Sequence, residues 1–310
     1  MALGGNPIFN GKNFRGATQA PRVPQAPYGQ AQYGQQPYGQ QSYGRAPGQV
    51  MDPQGGRGSQ QQNMTDEQLR QMYNKPAAGP ADTGRMTYDD VIVKTAACLG
   101  VLVAGAAVTL FVGMGLAMML MLVGVLGGFA LAMVNTFKKQ PSPALILAYA
   151  GLEGLFLGGL TRILDGMYPG VGLQAVIGTL SVFAVTLLLF RSGKVRATPK
   201  AMRFFMIAMI GYAVFALVNM VMVWTGAVQS PFGLSTSVEI FGIPLGVFIG
   251  VLAIGLAAFS LIMDFTSIEA GVQSGAPQRF SWTAAFGLTV TLVWLYVEII
   301  RLLSILRGDE

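Results

Sequence analysis

Only 11% of the 310 residues are charged while 52% are hydrophobic, and the mean hydropathy is +0.51; soluble domains carry about 25% charged residues, so this composition excludes an ordinary soluble domain. The formal charge of +6 does not point to nucleic acid: the cations sit mostly in short loops between apolar runs, where they report membrane topology, and no RNA- or DNA-binding module is recognisable. The chain has no histidine, which removes a Ser-His dyad, His-ligated zinc and the side chain that ordinarily titrates near neutrality, leaving carboxylates for any pH response.

Residues 1–85 differ from the rest, being rich in Gln, Gly, Pro and Tyr with Tyr-Gly steps at Tyr28, Tyr33, Tyr38 and Tyr43. A polar repeat of this kind has too little aliphatic content to offset chain entropy, so the segment reads as a disordered tail. It is either a solvated arm or an adhesive interaction segment, and residues 86–310 form the membrane domain. The first sixteen residues lack a continuous apolar core and so do not read as a signal peptide. Insertion is then directed by the first span, which follows Thr87-Tyr88-Asp89-Asp90, a hydroxyl and two acids suited to the positive end of a helix. The single cysteine, Cys98, lies in this run and forms no internal disulfide.

The apolar run 91–137 is about twice the roughly 20 residues of one crossing. It folds back, with Gly113-Met114-Gly115 as the reversal and Lys138 and Lys139 closing the pair. A third span, 143–164, holds Glu153 beside Gly151, Gly154 and Gly158 as close-packing positions; near its end Arg162 and Asp165 are spaced to pair on the surface. The fourth span, 171–190, leads into the most basic loop, with Arg191, Lys194, Arg196, Lys200 and Arg203. A fifth span covers 204–224, and the loop after it contains Glu239 but no Lys or Arg. A cytoplasmic N-terminus keeps Lys138, Lys139, the five-cation loop and Arg279 inside, with Arg162 and the chain end against the rule. Seven crossings then put the C-terminus outside, with a re-entrant last helix as the alternative.

In the sixth span Gly246, Gly250, Ala253, Ala257, Ser260 and Asp264 alternate at steps of three and four, continued by Ser267 and Gly271. This is a small-residue seam, with Asp264 on it. The seventh, 282–306, repeats the pattern with Ala284, Gly287, Thr291, Trp294, Glu298 and Arg301 on one face and Leu, Val and Ile on the faces that suit lipid. An acid inside a span is costly and by default marks a functional site. Two acid-bearing stripes on consecutive helices therefore nominate Asp264 and Glu298; Glu269, nearer the loop, reads as solvated.

The stretch Met263-Asp264-Phe265, its glycine-containing connection, and Leu295-Tyr296-Val297-Glu298 followed by Ile299-Ile300-Arg301-Leu302-Leu303 resemble the end of the Bax inhibitor-1/YccA family. Tyr149-Ala150-Gly151-Leu152-Glu153-Gly154 belongs to the same likeness, which runs from about Met86 onward and is most similar to the bacterial YccA-like branch. The resemblance implies an all-α bundle of seven transmembrane helices with the last helix at the centre of two three-helix layers, in a bacterial cytoplasmic membrane. It also implies a pH-sensitive calcium leak in which acids on the sixth and seventh helices share a proton and close the cytoplasmic side of a pore. Asp264 and Glu298 match those acids. The long separation between them places Glu298 deeper than Asp264, with Thr291 nearer the level of Asp264 and Glu153 as a further charge.

Two acids close together in a low-dielectric cleft cannot both ionise cheaply. Protonated, they share a hydrogen bond and hold the helices together; ionised, they repel, admit water and offer oxygen ligands to a hard cation such as Ca²⁺, as cargo rather than as a cofactor. The competing reading is a non-conducting membrane partner of another membrane protein such as a quality-control protease, which resemblance to YccA also suggests. An enzyme is not expected, since an aspartyl intramembrane protease needs two facing aspartates and Asp264 has only Glu298 as a candidate.

Overall fold

The computed structural model describes residues 84–193, 197–228, 230 and 232–308, so the tail reading, apart from its last two residues, lies outside the described residues, as do Lys194 and Arg196 of the basic loop. Seven helices are long and apolar enough to cross a membrane: α1 Tyr88–Phe111, α2 Met114–Phe137, α3 Pro143–Met167, α4 Val171–Arg191, α5 Pro199–Trp224, α6 Leu245–Gln273 and α7 Ser281–Gly308. The chain is therefore a multi-pass membrane protein. The expected boundaries agree to within a few residues except at α5, which starts at Pro199 and so takes Lys200 and Arg203 into its first turns. Its start is set by proline in the first helical turn and by the Thr198 side chain, which accepts from the Ala201 amide at 3.2 Å.

α1 opens on a capping box: the Thr87 hydroxyl accepts from the Asp90 amide at 3.1 Å and the Asp90 carboxylate accepts from the Thr87 amide at 3.3 Å. It breaks at Val112 and Gly113, and α2 returns. Both helices pack chiefly on α3 rather than on each other. The glycines of α3 allow this: a Cβ on Gly154 would meet the Leu102 carbonyl oxygen of α1, and one on Gly158 would meet the Ala106 carbonyl oxygen and, at 2.7 Å, the Ala106 Cα. Gly151 is less constrained, since a Cβ there would meet only Val101 at 3.5 Å.

Arg162 and Asp165 do not form the expected surface pair; each serves the end of another helix. The Arg162 guanidinium donates to the carbonyls of Thr109 at 3.0 Å, Leu110 at 3.2 Å and Val112, where α1 runs out of intrahelical donors. Asp165 accepts from the Gly172 amide at 3.2 Å in the first turn of α4. The carbonyls at the end of α1 have no intrahelical donor and attract a cation, while Asp165 is taken up by the amide of α4, which explains a cation at that end of the bundle.

At the other end, the segment before α1 is strapped across the α6–α7 connection. The Met86 amide donates to the Ala276 carbonyl at 2.7 Å and the Gln278 amide to the Gly84 carbonyl at 2.8 Å. Around this two-bond ladder, Gln278 Nε2 donates to Asp90 at 2.8 Å and Lys94 Nζ to the Gln278 carbonyl at 3.3 Å. Gly84 and Arg85, grouped with the tail by composition, belong to this strap.

α7 packs against α6, α1, α4 and α3. Beyond the small residues of its seam, Leu288, Leu292, Leu295, Ile299 and Ile300 are also buried, so much of the face assigned to lipid is covered by protein. Aliphatic side chains suit either environment equally, and their identity alone does not separate the two. The helix is continuous and ends beside the α3–α4 connection, where Arg307 donates to the Pro169 carbonyl at 2.7 Å, so it runs from one end of the bundle to the other. α5 is the opposite case, with Phe205 its only buried residue. Between α5 and α6 lie one helical turn, Leu234–Ser237, and an antiparallel hairpin of β1 (Glu239–Ile240) and β2 (Ile243–Pro244).

Candidate functional site

The eight positions of the α6 seam, Gly246 through Gly271 in steps of three and four, are all buried. Asp264, on this seam, has no solvent exposure. Across the α6–α7 contact Thr291 Oγ1 donates to Asp264 Oδ2 at 2.7 Å. The level match follows from the connection: Asp264 and Thr291 lie at comparable distances from the turn that joins their helices, so a small α6 face and a short hydroxyl on α7 bring donor and acceptor into contact. A buried carboxylate needs such a donor to be tolerated in an apolar interior.

Glu298 lies two helical turns further along α7 than Thr291, about 10 Å at 1.5 Å per residue. It is 2% exposed and gathers three donors: Arg301 Nη2 at 2.5 Å, Trp294 Nε1 at 3.1 Å and the Tyr212 hydroxyl of α5. Trp294 and Arg301 share its helix face at four residues before and three after. Tyr212 comes from the least buried span and is the residue that sequence reasoning missed. Its ring lies 6.1 Å from Trp294 and 6.0 Å from the Arg301 guanidinium, so an aromatic-cation cluster closes over the carboxylate.

Glu153 is half-buried where α3 meets α2, its carboxylate facing Gly128. Tyr149 lies one turn earlier on the same helix, and its ring meets Phe286 of α7 edge-on at 5.0 Å. Glu153 faces α2, which carries neither Asp264 nor Glu298, and so forms a station of its own. Glu269 is half-buried near the end of α6 and accepts from Gln273 Nε2 at 3.4 Å. Among the described residues, no group of three or more His, Cys, Asp or Glu side chains is placed to hold a metal ion. The polar groups instead form steps along α7: Thr291 with Asp264, Tyr296 with Thr161 of α3 at 2.7 Å, and Glu298 with its three donors.

Seven apolar helices that enclose Asp264 and Glu298, each supplied with a donor from a neighbouring helix, define a polytopic membrane protein with buried acids. The sequence profile described as Bax inhibitor 1 like matches residues 6–308, and the chain belongs to that family. The match begins far ahead of Met86 and so takes in most of the N-terminal arm, which the motif resemblance left out. A comparison with curated proteins finds no match.

Proposed function

We propose that this protein is a pH-sensitive cation leak, of the YccA-like branch, with Ca²⁺ as cargo and α7 at the centre of two three-helix layers. The observation that carries the reading is Asp264: a wholly buried carboxylate on a small-residue seam, to which the Thr291 hydroxyl donates from the facing helix. A protonated Asp264 keeps that seam closed. An ionised one draws water between α6 and α7 and offers oxygen to a hard cation. Glu298, tied to α5 through Tyr212, is the second gating station, and Thr291 and Glu153 support the path on either side.

The test is calcium entry into liposomes containing the purified full chain, followed across pH. Asp264→Asn and Glu298→Gln keep shape while removing ionisation, and each is expected to flatten the pH dependence. The double variant is expected to add little, because both groups bias one opening. Glu269→Gln should behave as wild type. Absence of Ca²⁺ passage at any pH, with a control channel conducting in parallel, would sink the leak and favour the reading as a partner of another membrane protein such as a protease.

A plasma-membrane location with the N-terminus in the cytoplasm accords with the basic residues around α4 and α5. Cysteines at Ser192 and Ala227, both exposed and on opposite ends of α5, are expected to differ in intact cells on a Cys98→Ser background, with an impermeant reagent reaching 227 and not 192. The reverse pattern would invert the topology.

A further inference from the structure

The β1–β2 hairpin turns through Phe241 and Gly242, with φ of 55° and 77°. Both central residues are left-handed, as a type I′ hairpin turn requires, and Asn-Gly is its usual solution. Phenylalanine at the first position is unfavourable for the backbone. Its ring makes no compensating contact, being 99% exposed at the tip. Val238, Ile240 and Ile243 beside it are exposed as well, and Glu239 is the one charged residue of the hairpin.

The position of the hairpin says what covers it. Its base is fixed: Leu245 donates to the Val238 carbonyl at 2.8 Å, and Ser235, in the preceding turn, is buried against Gly246 at the start of α6. Before it, α5 ends on the exposed Trp224, and after it α6 continues with exposed Phe248, Val251 and Leu252, which face outward from a helix long enough to cross a bilayer. The apolar hairpin thus continues the outward surface of α5 and α6 at the end of the bundle opposite the α6–α7 connection. No Lys or Arg lies between Arg203 and Arg279, so nothing in this segment favours an anionic partner.

We propose that the Phe241 hairpin is a membrane-interface anchor, inserting its tip among the headgroups and upper acyl chains of a zwitterionic lipid leaflet beside α5 and α6. Aromatic side chains favour that region, and a ring buried in lipid offsets the backbone cost of the turn.

The full chain, on a Cys98→Ser background, is labelled with one environment-sensitive fluorophore at Phe241→Cys and placed singly in phosphatidylcholine nanodiscs. Lipids carrying a nitroxide at a shallow acyl position are expected to quench it several-fold more than the same label at Ala227→Cys, in the same loop. A water-soluble quencher should give the opposite order. Equal lipid quenching at 227 and 241 would assign the signal to the probe, and quenching at 241 only from water would show a tip standing clear of lipid; either overturns the proposal. Label at Arg279→Cys, exposed in the α6–α7 connection, should be quenched from water alone, and quenching there by lipid to the extent seen at 241 would also count against it.

Discussion

Glu298→Leu is expected to lower the stability of the detergent-solubilised protein by about 3–5 kcal/mol, the range found when one partner of a buried ion pair is removed. The carboxylate is 2% exposed and receives Arg301, Trp294 and Tyr212. Its loss strands a guanidinium whose Nε is already buried without a hydrogen-bond partner. The double variant Glu298→Leu with Arg301→Leu should recover most of the loss, because no lone charge then remains. Tyr212→Phe removes one donor and is expected to cost about 1 kcal/mol. Unfolding midpoints in dodecyl maltoside decide the matter: a Glu298→Leu protein as stable as wild type would mean that the cluster contributes nothing to the bundle.

The second large effect concerns the α1–α3 contact. Gly158→Ala places a methyl against the Ala106 carbonyl and the Thr109 hydroxyl. These are backbone atoms and a buried side chain that cannot move far without separating the helices, so a loss of about 1–3 kcal/mol is expected, and more for Gly158→Leu. Gly100→Ala is the matched control on the facing helix: no atom lies within 4 Å of the added carbon, and alanine's better helix propensity should leave stability unchanged or raised by up to about 1 kcal/mol. Equal responses at positions 158 and 100 would refute close backbone packing as the basis of this contact.

The seven spans were legible because an apolar run of the right length has few alternatives, and the α1–α2 reversal because the run was twice too long. The α6 seam was legible for a related reason: glycine, alanine and serine repeating at three and four residues have a single use on an apolar helix, and all eight positions are buried. Thr291 at the level of Asp264 followed from counting residues on each side of the turn. The partners of Glu298 were only half legible. Trp294 and Arg301 share its helix face, but Tyr212 arrives from α5, and the pairing of separate helices leaves no mark in linear spacing. Arg162 was misread for a similar reason, since an acid three residues away is visible in the sequence while three unpaired carbonyls on α1 are not. Nor did the Phe241-Gly242 pair carry the usual Asn-Gly turn signal, so the hairpin was not anticipated.

The strap at Met86 makes the order of synthesis matter. Gln278 and Asp90, joined at 2.8 Å, stand 188 residues apart in the chain, so α1 is synthesised long before the connection that fastens its entrance. Closing so long a loop adds little entropy over a shorter one. Timing is the larger effect, since through the insertion of five further helices the Met86 amide has no Ala276 carbonyl to bond. A nascent chain stopped after α5 would hold α1, α2 and α3 packed through their glycines while lacking the fastening that ties its two ends together. Only once the α6–α7 connection has been made can the start of α1 be fastened, so the early helices pack through their glycines before the strap closes.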